Sequence, residues 1–131
     1  MKDLKSISIK LILENQNSSG SYIASPNFPI YHYSWLRDGS FIAYSMLING
    51  QINSCRKFLE WVHETIKRYS HKVDKISFKI ENNQNLHDRD FLPARYTLDG
   101  IEVKDDWSNF QIDGYGSWLW CLSEYLSLIH I

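Results

Sequence analysis

The most informative stretch of the sequence is Tyr31-His32-Tyr33-Ser34-Trp35-Leu36-Arg37-Asp38-Gly39. Three aromatic residues and an adjacent cation and anion fall within eight positions, and a glycine follows them. An apolar pattern of helical period begins directly afterwards. Aromatic faces cover the C–H side of a sugar ring, while Arg and Asp bind its hydroxyl groups as donor and acceptor. The stretch therefore favours a neutral polyhydroxylated ligand.

A purely structural interpretation accounts for the same residues. Asp is among the favoured N-cap residues, so Asp38 could serve only to cap the helix that follows. Arg37 would then pair with a distant acid, and the aromatic side chains would belong to the core. Both interpretations stay open when this stretch is taken by itself.

Helical patterns lie on both sides of this stretch. Residues 4–14 fit either a strand or a helix, and we predict a helix because Leu, Lys and Glu dominate there. A second helix is predicted from Asp38 or Gly39 to a stop at Gly50. Its inner stripe is predicted to consist of Phe41, Tyr44, Ser45 and Ile48.

The third helix has the clearest period in the chain. It is predicted over residues 52–69, where apolar residues recur at three- and four-residue steps: Ile52, Cys55, Phe58, Leu59, Val62 and Ile66. Residues 70–80 could end a helix or begin a strand. The last helix is predicted to open at Asp113, with a buried stripe of Tyr115, Leu119, Leu122, Leu126 and Ile129.

Between these helices, residues 81–112 show no helical period and are rich in aromatic and charged side chains. Long loops inside compact domains are uncommon and are usually functional. Within this loop, residues 96–103 predict a small β-hairpin whose two-residue turn is Asp99-Gly100. The chemistry-bearing residues thus fall in two loops that precede helices, as expected of a helical toroid with converging loops.

Composition limits the classes of partner. The chain has 131 residues, 44% hydrophobic and 15% aromatic, and a net charge of −1, so we expect one domain and neither nucleic acid nor a membrane as partner. The N-terminus does not resemble a secretory signal, and we expect a cytoplasmic protein. Cys55 and Cys121 belong to no CxxC motif and are predicted to be buried thiols. No metal-ligand or phosphate-loop motif is present in the sequence, so we expect no cofactor.

The sequence resembles the N-terminal part of a glucoamylase-type catalytic domain of glycoside hydrolase family 15. The resemblance covers residues 12–126 and rests on these motifs: Ala24-Ser25-Pro26, residues 31–39, Leu92-Pro93-Ala94-Arg95-Tyr96, Asp99-Gly100, and Trp107-Ser108-Asn109-Phe110-Gln111-Ile112-Asp113-Gly114. It implies an all-α fold, a partial (α/α)6 toroid with about four helices plus a long loop carrying the hairpin. Residues 1–131 would then be a truncated N-terminal part of the catalytic domain, with some apolar helix faces left without neighbours.

The resemblance also implies an activity and a set of site residues. Members of the family release glucose from non-reducing ends of α-glucans with inversion, and relatives hydrolyse trehalose or dextran-type glucosides. The expected partner is therefore an α-glucan or α-glucoside, bound by Tyr31, Trp35, Arg37, Asp38, Trp107, Gln111 and Asp113. Arg95 is expected to support its loop through a salt bridge. Other interpretations are a non-catalytic carbohydrate-binding or regulatory toroid, as in relatives within phosphorylase kinase, and a helical interaction domain without a ligand.

The chain departs from the family pattern in its carboxylates. An inverting glycosidase needs an acid and a base roughly 6.5–9.5 Å apart. In the family both are glutamates that follow the Gln-x-Asp-Gly helix, and no glutamate of this sequence stands in a matching context. Asp38 is a poor substitute acid, because the neighbouring Arg37 favours its ionised form. We therefore expect no catalytic residue here, and a fragment that is inactive alone. Residues 127–131 carry no terminating turn and are expected to be cut off or non-native.

Overall fold

The computed structural model describes residues 3–130. Within them the chain forms five α-helices and one two-stranded antiparallel sheet. The helices are α1 (Leu4–Asn15), α2 (Leu36–Ile48), α3 (Ile52–Arg68), α4 (Ser70–Glu81) and α5 (Ile112–Ile129), and the strands are β1 (Ser34–Trp35) and β2 (Arg95–Tyr96). None of these helices is long and apolar enough to cross a membrane. The predicted domain limits, residues 1 and 131, lie outside the described residues.

The core is built around α2, which packs against both α3 and α5. Its fully buried side chains include Leu36 and Met46 of α2, Phe58 and Val62 of α3, and Tyr96 of β2. Gly39 allows α2 to approach α3, because a Cβ atom at this position would lie 2.4 Å from the ring of Phe58. The mostly helical fold agrees with the sequence prediction, with five helices in the described residues instead of about four.

Helix α2 begins earlier than predicted, and the reason is the sheet. Ser34 and Trp35 pair with Tyr96 and Arg95, and the backbone N–H of Leu36 donates to the carbonyl of Ala94 at 3.4 Å. The strand therefore passes directly into the helix, with Trp35 in the N-cap position. The prediction of a start at Asp38 or Gly39 is wrong, and Asp38 lies in the first turn instead of capping it.

The buried faces of α2 and α5 also differ from the predictions. Phe41, Ser45 and Ile48 are exposed, and the residues of α2 that are buried are Leu36, Gly39, Ser40, Ala43, Met46 and Leu47. In α5, Gly114 and Cys121 are buried, whereas the predicted Leu119, Leu126 and Ile129 are exposed. Gly39 and Gly114 lie where neighbouring elements approach closely, but large side chains such as Leu36 and Met46 are buried on the same helix face as Gly39. For α3 the predicted stripe is confirmed, apart from the exposed Ile52 and the partly buried Ile66.

Large apolar side chains remain exposed on all five helices. They include Leu4, Ile7 and Leu11 of α1, Phe41 and Ile48 of α2, and Leu119 and Leu126 of α5. Helix α1 has no buried residue, and only Ile9 and Ile12 pack against the core. Apolar helix faces without neighbours in the described part of the chain were expected from the sequence.

The segment after α3 decides one alternative that the sequence left open and corrects one prediction. Residues 70–80, which fit either a helix or a strand, form α4. The hairpin after β2 is reduced to a bridge between Tyr96 and Glu102, with a three-residue loop in which Thr97 N–H donates to the carbonyl of Ile101. A two-residue Asp99-Gly100 turn is therefore wrong. Gly100, at φ 75°, lies against α3, and its carbonyl accepts from Arg68 at 2.8 Å.

Candidate functional site

Three of the predicted site residues form one aromatic cluster. The rings of Trp35 and Trp107 meet edge to face with centroids 5.7 Å apart, and Tyr31 lies 6.0 Å from Trp35. Trp35 is buried at 6% exposure, whereas Tyr31 and Trp107 keep 42% and 51% of their surface accessible. The cluster therefore has a buried indole behind two aromatic side chains that are free to contact a ligand.

Arg95 lies beneath this cluster. Its guanidinium carbon is 4.4 Å from the ring centroid of Tyr33, 5.3 Å from that of Trp35 and 5.1 Å from that of Trp107. The side chain is 7% exposed and forms an ion pair with Asp105. The expected salt-bridge support of this loop by Arg95 is thus confirmed.

Asp105 connects this buried cation to the backbone of the aromatic loop. One carboxylate oxygen accepts from Arg95, and the other accepts from the backbone N–H of Trp107 at 3.0 Å. The Trp107 N–H and then the Arg95 guanidinium hold the pKa of Asp105 below its ordinary value. Sequence reasoning missed Asp105, because an acid two residues before a tryptophan in a loop carries no distinguishing signal.

A second cluster joins the first turns of α2 and α5. Arg37 Nη1 donates to Asp113 Oδ2 at 2.8 Å, and its Nε lies 3.7 Å from Asp38 Oδ1. The Asp113 carboxylate raises the pKa of Arg37. All three side chains are about half exposed, at 44%, 47% and 50% for Arg37, Asp38 and Asp113. Arg37 therefore pairs with a distant acid, as the structural interpretation proposed, yet stays accessible to a ligand.

Gln111 and Asp113 face different cavities. Gln111 precedes α5 and makes no side-chain capping bond, and it lines an apolar cleft of about 320 Å³ between α4, the loop and α5. Asp113 lines a shallow hollow of about 430 Å³ with Phe41, Gly116, Ser117 and Trp120. Helix α5 starts at Ile112, so the prediction that Asp113 opens it is wrong by one residue. Neither of these two cavities is lined by Tyr31, Trp35, Arg37, Asp38 or Trp107.

Asp88 orders the backbone that leads to Gln111. Its carboxylate accepts from Ser108 Oγ at 2.6 Å, from the Asn109 N–H at 2.9 Å and from the Phe110 N–H at 3.2 Å. These donors, the Ser108 hydroxyl foremost, lower the pKa of Asp88. Arg89 adds a bond to Asn109 Oδ1 at 2.9 Å. Sequence reasoning missed Asp88 because its partners are 20–22 residues away and mostly backbone groups.

The glutamates that could act in catalysis lie elsewhere. Glu60, Glu64 and Glu124 are exposed on helices α3 and α5. Glu102 is engaged by Lys72 at 2.6 Å and by Asn109 at 3.2 Å. No group of three or more His, Cys, Asp or Glu side chains with the geometry of a metal site occurs among the described residues.

Comparisons with known proteins agree with one another. The family described as "Glycosyl hydrolases family 15" matches residues 3–129. A curated relative, isomaltose glucohydrolase of Kribbella flavida, is 38% identical over 111 residues, covering 84% of this chain and 29% of the relative. Among solved structures, a wild-type glycosidase superposes with a TM-score of 0.89 at 35% identity, over 95% of this chain and 34% of its own. A glycosidase variant in complex with glucose gives 0.89 at 32% identity, over 98% and 35%. The chain thus spans about a third of the length of these relatives.

Proposed function

This chain belongs to glycosyl hydrolase family 15, and we propose that it supplies part of the substrate-binding surface of an exo-acting α-glucosidase. In this proposal it is the N-terminal part of an (α/α)6 catalytic domain, and the whole enzyme removes glucose from the non-reducing end with inversion. The coverage of 34–35% of the related glycosidase structures is what a third of such a domain would give.

One observation carries the proposal, namely the state of Arg37. Its guanidinium has five N–H donors, and within the described residues it donates one hydrogen bond, to Asp113. The ion pairs with Asp113 and Asp38 hold the side chain in place while leaving it half exposed. A fixed, accessible guanidinium beside carboxylates suits the hydroxyl groups of a terminal sugar.

The aromatic cluster supplies the other half of the argument. Trp35 lies two residues before Arg37, and Trp107 precedes Asp113 in the loop that enters α5. Exposed rings of Tyr31 and Trp107 offer apolar faces for the C–H side of a pyranose. The substrate class follows from the names of the relatives, an isomaltose glucohydrolase and a glycosidase bound to glucose. Isomaltose is therefore the first substrate to test.

The acid and the base belong to the rest of the proposed domain. An inverting reaction needs one carboxyl group to protonate the leaving oxygen and one to activate water, roughly 6.5–9.5 Å apart. Asp38 and Asp113, the two carboxylates paired with Arg37, hold that cation in place, so this proposal gives them a binding role and not a proton-transfer role. The 131-residue chain is therefore expected to release no glucose from isomaltose, maltose or trehalose above background.

The decisive experiment uses a protein in which this chain continues into the remaining part of the domain. Arg37→Ala should lower kcat/KM for isomaltose about 10- to 100-fold, since a hydrogen bond to a charged group contributes about 1.5–3 kcal/mol. Arg56→Ala is the matched control, because Arg56 pairs only with Glu60 on the outer face of α3 among the described residues. An unchanged kcat/KM in Arg37→Ala would remove Arg37 from the site, and turnover by the 131-residue chain would refute the absence of an acid and base.

A further inference from the structure

The most unusual group outside the proposed sugar contacts is the buried guanidinium of Arg95. Its side chain is 7% exposed, and its Nε has no hydrogen-bond partner in residues 3–130. Burying a cation with an unpaired N–H costs free energy. The ion pair with Asp105 and the ring contacts offset part of this cost, whereas a linear apolar side chain such as Met would fill the same space without it.

The contacts of Arg95 show what it holds in place. The guanidinium contacts the rings of Tyr33, Trp35 and Trp107. It also pairs with one carboxylate oxygen of Asp105, whose other oxygen accepts from the Trp107 N–H. Arg95 thus contacts the indole ring of Trp107 directly, and it is linked to the Trp107 backbone through Asp105. Trp107 keeps 51% of its surface exposed, and its ring meets Trp35 edge to face.

We propose that Arg95 is a positioning residue that holds the Trp107 indole edge to face against Trp35 and so fixes the aromatic wall of the site. Arg95 cannot itself contact a ligand, because the rings of Tyr33, Trp35 and Trp107 and the Asp105 carboxylate enclose it. The structural part of this assignment is independent of the ligand. Only its consequence for sugar binding rests on the proposed function.

The orientation of the two indoles can be measured without any ligand. Two tryptophans with centroids 5.7 Å apart give an exciton couplet in the far-UV circular dichroism spectrum, which depends on their mutual angle. The couplet of this pair is obtained by subtracting the circular dichroism spectrum of Trp107→Phe from that of the wild-type chain. We expect Arg95→Met to lose most of it while keeping helical signal and cooperative unfolding, and Arg95→Lys to keep more of it than Arg95→Met.

A second variant covers the case in which Arg95→Met fails to fold. Asp105→Ala removes the partner of both Arg95 and the Trp107 N–H at a position that is 43% exposed, so it takes no side chain out of the core, although it leaves the buried Arg95 charge without its carboxylate. It should also weaken the couplet. Arg56→Met is the matched control, since it removes an arginine from an exposed ion pair on α3 and should leave the couplet unchanged.

Sugar binding then separates the two proposals. Isomaltose is titrated into each protein and binding is followed by ligand-observed NMR. We expect the wild-type protein to bind isomaltose, and we expect the Kd of Arg95→Met to be at least about fivefold higher. A couplet that survives in folded Arg95→Met and Asp105→Ala would overturn the positioning role, whatever the sugar result. A couplet lost as expected, with no binding by wild-type protein even in the extended domain, would support the positioning role and count against the proposed function.

Discussion

Adding one methyl group at Gly39 should destabilise the protein although Ala is the better helix former. Gly39 lies in the interior of α2, where Gly→Ala normally gains about 1 kcal/mol. Here the new Cβ atom would lie 2.4 Å from two ring carbons of Phe58, which is fully buried. Carbon atoms pack at about 3.5–4.0 Å, so the overlap exceeds 1 Å.

The magnitude follows from these two opposing effects. Overpacking a well-packed core costs about 1–3 kcal/mol. The ring of Phe58 has little room to move, because it stacks on Tyr22 at 5.2 Å and on Trp61 at 5.8 Å. We therefore expect the overpacking cost of Gly39→Ala to lie near the upper end of that range. After the gain in helix propensity is subtracted, the free energy of unfolding should fall by about 1–2 kcal/mol.

Gly116 in α5 provides a matched control in the same chain. A Cβ atom there has no heavy atom within 4 Å, so Gly116→Ala should raise stability by about 0.5–1 kcal/mol. Urea denaturation followed by circular dichroism measures both variants. Equal stabilisation by the two substitutions would refute the close contact between α2 and α3.

A double variant tests the same contact from the other side. Phe58→Leu shortens the side chain that Gly39→Ala meets, so the two substitutions together should cost less than the sum of their separate effects. Strict additivity would mean that the methyl group does not contact Phe58. The first turn of α2 also carries Arg37 and Asp38, so a displaced α2 should weaken the bond between Arg37 and Asp113.

Two further predictions concern acid and thiol chemistry. The pKa of Asp88 is lowered from 3.8 by Ser108 and the backbone N–H groups of the loop, and that of Asp90 is lowered by Lys79. The stability that these two carboxylates contribute is therefore complete above the unfolded pKa and is lost as the pH falls through the lower folded pKa values. We expect Tm to decrease as the pH is lowered below about 4, and we expect this decrease to be smaller in Asp88→Asn. The same decrease in Tm in the variant and the wild type would contradict the prediction. Cys55 and Cys121 are both fully buried, and the contact with Cys121 together with burial raises the pKa of Cys55. Neither thiol should therefore react with Ellman's reagent until urea unfolds the chain. Rapid labelling of the native protein would contradict this prediction.

Elements with a strong local signal were predictable from the sequence. Helix α3 has the clearest apolar period, and its bounds and its central buried residues, Cys55, Phe58, Leu59 and Val62, agree with the prediction. The Arg37–Asp38 pair does lie in the first turn of a helix, although the helix begins at Leu36. Local period suffices for α3 because it packs mainly against α2, and the Arg37–Asp38 pair is marked by the glycine and the apolar pattern that follow it.

The long loop between α4 and α5 was predictable as a segment without helical period but not in its connections. Asp88 binds three groups of residues 108–110, and Arg95 pairs with Asp105 beneath the aromatic cluster. Such partners are set by the path that the chain takes in space. Because this region has no helical or strand period, the sequence does not indicate which of its residues come together.

By itself, the sequence determined the mostly helical fold, the glycosidase family and the residues that form the aromatic and charged clusters. Tertiary structure alone decided which faces of α2 and α5 are buried. Both helices are flanked on more than one side, and close backbone approach at Gly39 and Gly114 sets which faces meet. Large side chains on those faces, such as Leu36 and Met46, are buried, while Phe41, Ile48 and Leu119 lie outside. Apolar periodicity reports hydrophobic side chains, whereas helix contact depends on how near two backbones come, and that distance exists only in the folded chain.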